Sequence, residues 1–191
     1  MKETFSNRIR NDLKESQIDW KVIIAFIPIA FITFLFHEFG HWTFGELSGN
    51  DMTLSLNNST PQNGQHFIND SDALWSAIGG PVFTILQGLI FLLLTWLTKS
   101  IYAYSLTFFS VFSRFFSIIF GGFNLQDEAR IAAMLDWNKY LVAAIVLTIL
   151  FLILWRSTRI MKLNKAIGYF TVLGVFAILI VIGVNEIITT K

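Results

Sequence analysis

Two histidines four residues apart, with a glutamate directly after the first, carry the clearest chemical pattern in this chain: His37-Glu38-Phe39-Gly40-His41. On an α-helix this spacing puts both imidazoles on one face, one turn apart, close enough to share a divalent ion. Glu38 then projects beside the ion. There a carboxylate can take a proton from a zinc-bound water and hand it to a leaving amine. The chain has no cysteine, so any metal must be held by His, Asp or Glu.

A catalytic zinc takes three protein ligands and leaves one position open. His66 is the other histidine, but it lies in a polar connection. Glu46 follows His41 by five residues, close to where the helix ends. The extended H-E-x-x-H-x-x-G-x-x-H pattern fails, because Phe44 and Leu47 stand at its Gly and His positions. Asp127, in Gly121-Gly-Phe-Asn-Leu-Gln-Asp-Glu128, is the best third ligand, with Glu128 as the neighbouring alternative.

The elements that must position these residues belong to a membrane protein. Hydrophobic residues make up 54% of the 191 positions and charged residues only 14%, where a soluble domain carries about 25% charged. The apolar residues gather into five runs long enough to span a hydrocarbon core: 22–45, 73–98, 100–126, 140–155 and 166–185. Trp20, Trp42, Trp75, Trp137 and Trp155 fall near the ends of these runs, as interfacial aromatics do. The expected fold is an all-α integral membrane protein with about five transmembrane helices. It divides into a charged N-terminal segment (1–21), a three-helix core (22–136) and two further helices (137–191).

Phe5, Ile9 and Leu13 recur every four residues among charges in the first segment, the pattern of an amphipathic helix on a membrane surface. Between the first two spans, Met52-Thr-Leu-Ser-Leu56 alternates apolar and polar residues, and Pro61 to Gly64 reads as a turn. A β-hairpin-like loop is expected there.

With the N-terminus inside, the inside segments hold Lys2, Arg8, Arg10, Lys14, Lys21, Lys99, Arg156, Arg159, Lys162 and Lys165. The outside segments hold Arg130, Lys139 and Lys191. This bias predicts a cytoplasmic N-terminus. It also makes the first and third spans parallel, so their C-terminal ends, and with them His37, His41 and Asp127, reach one membrane face. Along the third span, Ser110, Ser113, Arg114, Ser117, Gly121 and Asn124 recur at spacings of three and four. Such a stripe either lines a wet cleft or packs helices closely. Arg114 needs a partner or water in either case. The net charge of +1 gives no reason to expect a nucleic-acid partner.

At these residues the chain resembles the site-2 protease family of intramembrane zinc metalloproteases. His37-Glu38-Phe39-Gly40-His41 is similar to that family's helix-borne H-E-x-G-H. Gly79-Gly80-Pro81, opening the second span, is similar to its Gly-Pro element. Asn124-Leu-Gln-Asp127 is similar to its Asn-(Pro)-Asp-Gly motif. Thr84 stands where the family often has Asn, and Glu128 where it usually has Gly. The resemblance implies Zn²⁺ held by His37, His41 and Asp127, with Glu38 as catalytic base. It implies that Asn124, Gly80 and Pro81 contact substrate, a membrane-embedded or membrane-proximal polypeptide. The same metal chemistry would also serve a non-peptide or short-peptide substrate, and a catalytically inactive scaffold would keep the same fold.

Overall fold

A computed structural model describes residues 5–163 and 165–189. Lys2 and Lys191 of the charge count lie outside the described residues. Among the described residues, seven α-helices run in the order α1 (Phe5–Glu15), α2 (Trp20–Leu47), α3 (Asp70–Thr98), α4 (Ile101–Phe120), α5 (Asp127–Met134), α6 (Leu141–Met161) and α7 (Ala166–Thr189). A two-stranded antiparallel hairpin, β1 (Met52–Leu54) and β2 (Ser59–Pro61), sits between α2 and α3. Among the described residues five helices, α2, α3, α4, α6 and α7, are long and apolar enough to cross a membrane. The chain is all-α in class and fits a multi-pass membrane protein.

The helices begin where local chemistry starts them. Asp19 caps α2 by accepting from the Val22 amide at 2.9 Å. Asn69 and Asp72 form a capping box at the start of α3. The core lies where α2, α4 and α7 meet: Phe26 touches Phe108, Phe109 and Phe170 with ring centroids 5.2 to 6.4 Å apart. Ile24, Ile27, Leu89, Leu93 and Leu152, by contrast, are exposed, as lipid-facing side chains of a bundle would be.

Two glycines set the α2–α3 approach. A Cβ added at Gly40 would strike the Gly79 carbonyl, and one added at Gly79 would strike that of Gly40. Backbone therefore touches backbone, the contact that small residues permit between membrane helices. Deeper in the bundle, Gln87 Nε2 donates to Thr33 Oγ1 at 2.8 Å across the same pair of helices.

Several boundaries differ from those expected. Gly79-Gly80-Pro81 does not open the second span; it lies inside α3, which begins at Asp70. The third span ends at Phe120, not Gln126. The Gly121 amide closes on the Ser117 carbonyl at 2.8 Å, and Gly122, at φ +85°, turns the chain away. The fourth helix continues to Met161 and the fifth to Thr189. The hairpin reverses at 55–58, where the Ser55 amide donates to the Asn58 carbonyl at 2.9 Å; Pro61 ends β2, and the expected turn follows it as a short 3₁₀ turn, Gln62–Gly64. The amphipathic segment does form a helix. Asp12 and Glu15 of α1 meet Lys165 at 2.9 and 3.1 Å, just before α7.

Candidate metal centre

α2 is about 42 Å long at a 1.5 Å rise, and His37 lies about 15 Å from its C-terminal end. His37 and His41 face α3 and the start of α5. The break at Gly121-Gly122 is what delivers Asp127, since it lets α5 start beside the histidines. Three side-chain atoms converge there. His37 Nε2 lies 3.0 Å from Asp127 Oδ2, His41 Nε2 lies 3.4 Å from the same oxygen, and the two Nε2 atoms are 3.2 Å apart. Ligands about 2.0 to 2.2 Å from a tetrahedral zinc would be separated by roughly 3.3 to 3.5 Å. The three atoms are thus already spaced close to what one small ion would require.

The outer hydrogen bonds fix which ring nitrogens face inward. His41 Nδ1 lies 2.7 Å from the Ser76 carbonyl, which can only accept, so Nδ1 carries the proton. His37 Nδ1 lies 2.9 Å from Thr84 Oγ1, whose own proton goes to the Gly80 carbonyl at 3.1 Å. Thr84 therefore accepts from His37. In the neutral rings the His41 Nε2 lone pair faces an ionised carboxylate, and the His37 Nε2 lone pair faces both that carboxylate and Arg114 Nη1, 3.3 Å away. Such a cluster calls for a positive centre between its members, either a proton or a metal ion. Burial works against the charge on Asp127. The contacts to His37 and His41 and the nearby Arg114 outweigh it, and hold the carboxyl well below the usual carboxylate range.

Gly80 makes room for the rings. A Cβ at this position would strike His41 Nε2 and come within 2.6 Å of His37 Cε1 and His41 Cε1. Glu38 is buried and offers a carboxylate oxygen; together with the two imidazoles it forms a group whose ligand atoms lie within 4.8 Å of one another. The buried His37-Glu38-His41 group could hold a metal ion, and the Asp127 oxygen lies closer to the two nitrogens than that limit.

The group opens onto a cavity of about 440 Å³, lined by Glu38, Arg114, Phe116, Ser117 and Arg130, and on one side by residues 57–60 of the hairpin. Arg114 and Glu128, both buried, form a bidentate ion pair: Arg114 Nε donates to Glu128 Oε1 at 3.1 Å, and Nη2 meets Oε2. Glu128 is thereby committed to the guanidinium rather than to the histidines. Arg114 Nη2 also lies 3.4 Å from Asp127 Oδ2.

The remaining expected residues fall elsewhere. His66 lines a separate surface pocket with Asp51 and Glu46. Glu46 accepts from the Met52 amide at 2.8 Å and so anchors β1. Asn124 is exposed and absent from the cavity wall, and Pro81 is buried within α3 one residue past Gly80. Of the polar stripe on α4, Ser110 and Ser113 bond back to carbonyls of their own helix, at 2.9 and 3.2 Å; Arg114, Ser117 and Gly121 reach the cavity. Ser76, which orients His41, carried no signal in the sequence beyond being a polar residue in an apolar run. No family model, no curated protein and no solved structure matches this chain.

Proposed function

We propose that the chain is a zinc-dependent intramembrane endopeptidase with Glu38 as its general base. One observation carries the reading. His37, His41 and Asp127 converge with Glu38 at the wall of a cavity set within a bundle of apolar helices. Two imidazoles and a carboxylate, with no cysteine in the chain, suit zinc with a free position. The likeness of the H-E-x-G-H run and of Asp127 to motifs of the site-2 protease family points the same way. When bound, the ion supplies Lewis-acid polarisation of water and of the scissile carbonyl.

The chain's own residues do the rest. Thr84 and the Ser76 carbonyl hold the two rings in orientation. Glu38 takes one proton from water as the water oxygen adds to the carbonyl carbon and the C=O π pair moves onto oxygen. The same proton then passes from Glu38 to the amide nitrogen. The C–N bond breaks, leaving a carboxylic acid and an amine. A substrate helix must unwind before this can happen, because its amides are already paired. The β2 edge, at the cavity wall, can hold the unwound segment by main-chain hydrogen bonds.

The test is cleavage of a single-span reporter in liposomes. Glu38→Gln should lower the rate about 10² to 10⁴-fold while one equivalent of zinc is retained. Unchanged cleavage in that variant would mean that the mechanism is wrong. Removal of residues 52–61 with no effect on cleavage would sink the hairpin's role.

A further inference from the structure

Arg114 has no assigned part in this chemistry, and its surroundings suggest one. It is an arginine inside an apolar helix, 6% exposed, and such residues are retained at a cost. Its fork is divided. Nε and Nη2 are occupied by Glu128, with Asp127 Oδ2 also near Nη2. Nη1 instead points to the histidines and lies 3.3 Å from His37 Nε2. That contact uses the lone pair that His37 would give to a metal ion. Once the lone pair is committed, Nη1 keeps its N–H groups and its share of the positive charge but loses its acceptor, in a side chain that lines the cavity.

We infer that Arg114 is a catalytic residue of the endopeptidase reaction, donating from Nη1 to the oxygen on which negative charge develops when water adds to the scissile carbonyl. The inference rests on the peptidase reading. A donor fixed in advance in a water-poor site stabilises such an oxygen more than the neutral carbonyl before it. Glu128 is the positioning residue. It locks the fork and balances the charge, so that Arg114 neither leaves the site nor drives the metal from it.

The rival role for Arg114 is a strut for Asp127, and the two roles separate by what is lost. The probe is a short phosphinic pseudopeptide, in which a tetrahedral PO₂⁻ group replaces one amide, titrated against the zinc-loaded full chain in detergent. The variant is Arg114→Gln/Glu128→Gln, which removes both charges yet leaves two amides able to pair. Phosphinate affinity should fall about 10² to 10³-fold, the usual loss for one oxyanion donor, with zinc affinity within a few-fold of the wild type. Unchanged phosphinate affinity overturns the inference. So does a parallel loss of zinc affinity, which marks a strut, and so does a wild-type protein that does not bind the phosphinate. If the double variant lacks its helix content, Arg114→Lys is read by the same criteria. Reporter cleavage in Glu38→Gln is measured alongside. Its loss, with phosphinate affinity unchanged in the Arg114 variants, sinks only the role of Arg114; its survival sinks the peptidase reading as well.

Discussion

Replacing Gly80 with alanine adds one methyl group at the place where the two imidazoles need room. The new Cβ would lie 2.6 Å from His37 Cε1 and His41 Cε1, where ordinary contact begins at 3.4 Å. His37 must therefore retreat by about 0.8 Å and His41, whose Nε2 would lie 2.3 Å from the new Cβ, by about 1.1 Å, several times the tolerance of about 0.2 Å on a metal–ligand distance. Neither ring can retreat freely, since Thr84 holds one and the Ser76 carbonyl the other. Changes to the supports of ligands typically cost 10 to 100-fold in metal affinity, and displacing two ligands should cost at least about 100-fold. The helix itself should not suffer, because alanine is favoured over glycine in a helix interior by about 0.5 to 1 kcal/mol. Competition against a zinc-binding dye measures the affinity, and far-ultraviolet circular dichroism measures the helix. Gly168→Ala, where no atom lies within 4 Å of the added Cβ, is the control and should bind zinc as the wild type does. Wild-type zinc affinity in Gly80→Ala would show that the rings are not held where the metal needs them.

Further consequences can be checked independently. Thr84→Val keeps the shape but removes the acceptor for His37 Nδ1, and should weaken zinc binding about 10 to 100-fold in the same dye assay. Glu128→Ala leaves Arg114 buried without its main counter-charge, and should destabilise the protein by about 3 to 5 kcal/mol, seen as a large drop in the melting temperature in detergent. Gln87→Leu removes one interhelical hydrogen bond to Thr33 together with the buried Gln87 oxygen, which has no partner, and should change stability by less than about 1 kcal/mol in the same measurement. The Lys165 contact holds the Asp12 carboxyl below its usual value. A depressed carboxylate stabilises above its unfolded-state pKa, so the hold on α1 should be present at neutral pH and lost as pH falls through the folded-state value. Hydrogen exchange in α1, followed from pH 7 downward through the acid range, reads this loss.

Legibility in the sequence differs from residue to residue. The His37–His41 spacing and the five apolar runs were legible because both are periodic and local. Asp127 was reachable from helix counting, since two turns of topology bring α2 and the end of α4 to one side. Its delivery was not legible in detail: apolar composition carries the third span to Gln126, because it does not register the break that Gly122 makes at φ +85°. Arg114 was visible as a charge needing a partner. That partner, Glu128, lies 14 residues away across the same break, a pairing that no helical spacing announces. Thr84 entered only as a departure from a family pattern, yet it holds His37. Gly80 stands out in the sequence only as part of a Gly-Pro element, and its contact with the imidazoles depends on the α2–α3 approach at Gly40 and Gly79, which only packing reveals. The hairpin lies in the expected connection, and Pro61 to Gly64 does turn, as a short 3₁₀ turn over Gln62–Gly64, but the strands themselves reverse earlier, at 55–58, where neither proline nor glycine marks the place.

The central claim is that His37, His41 and Asp127 together hold one zinc ion. X-ray absorption fine structure at the zinc edge of the loaded protein tests it most directly. The expected result is one tightly held zinc with two imidazole nitrogens at about 2.0 to 2.1 Å and oxygen at about 2.0 to 2.2 Å, and the loss of one oxygen in Asp127→Ala. A shell without two imidazoles, or one unchanged in Asp127→Ala, would contradict it.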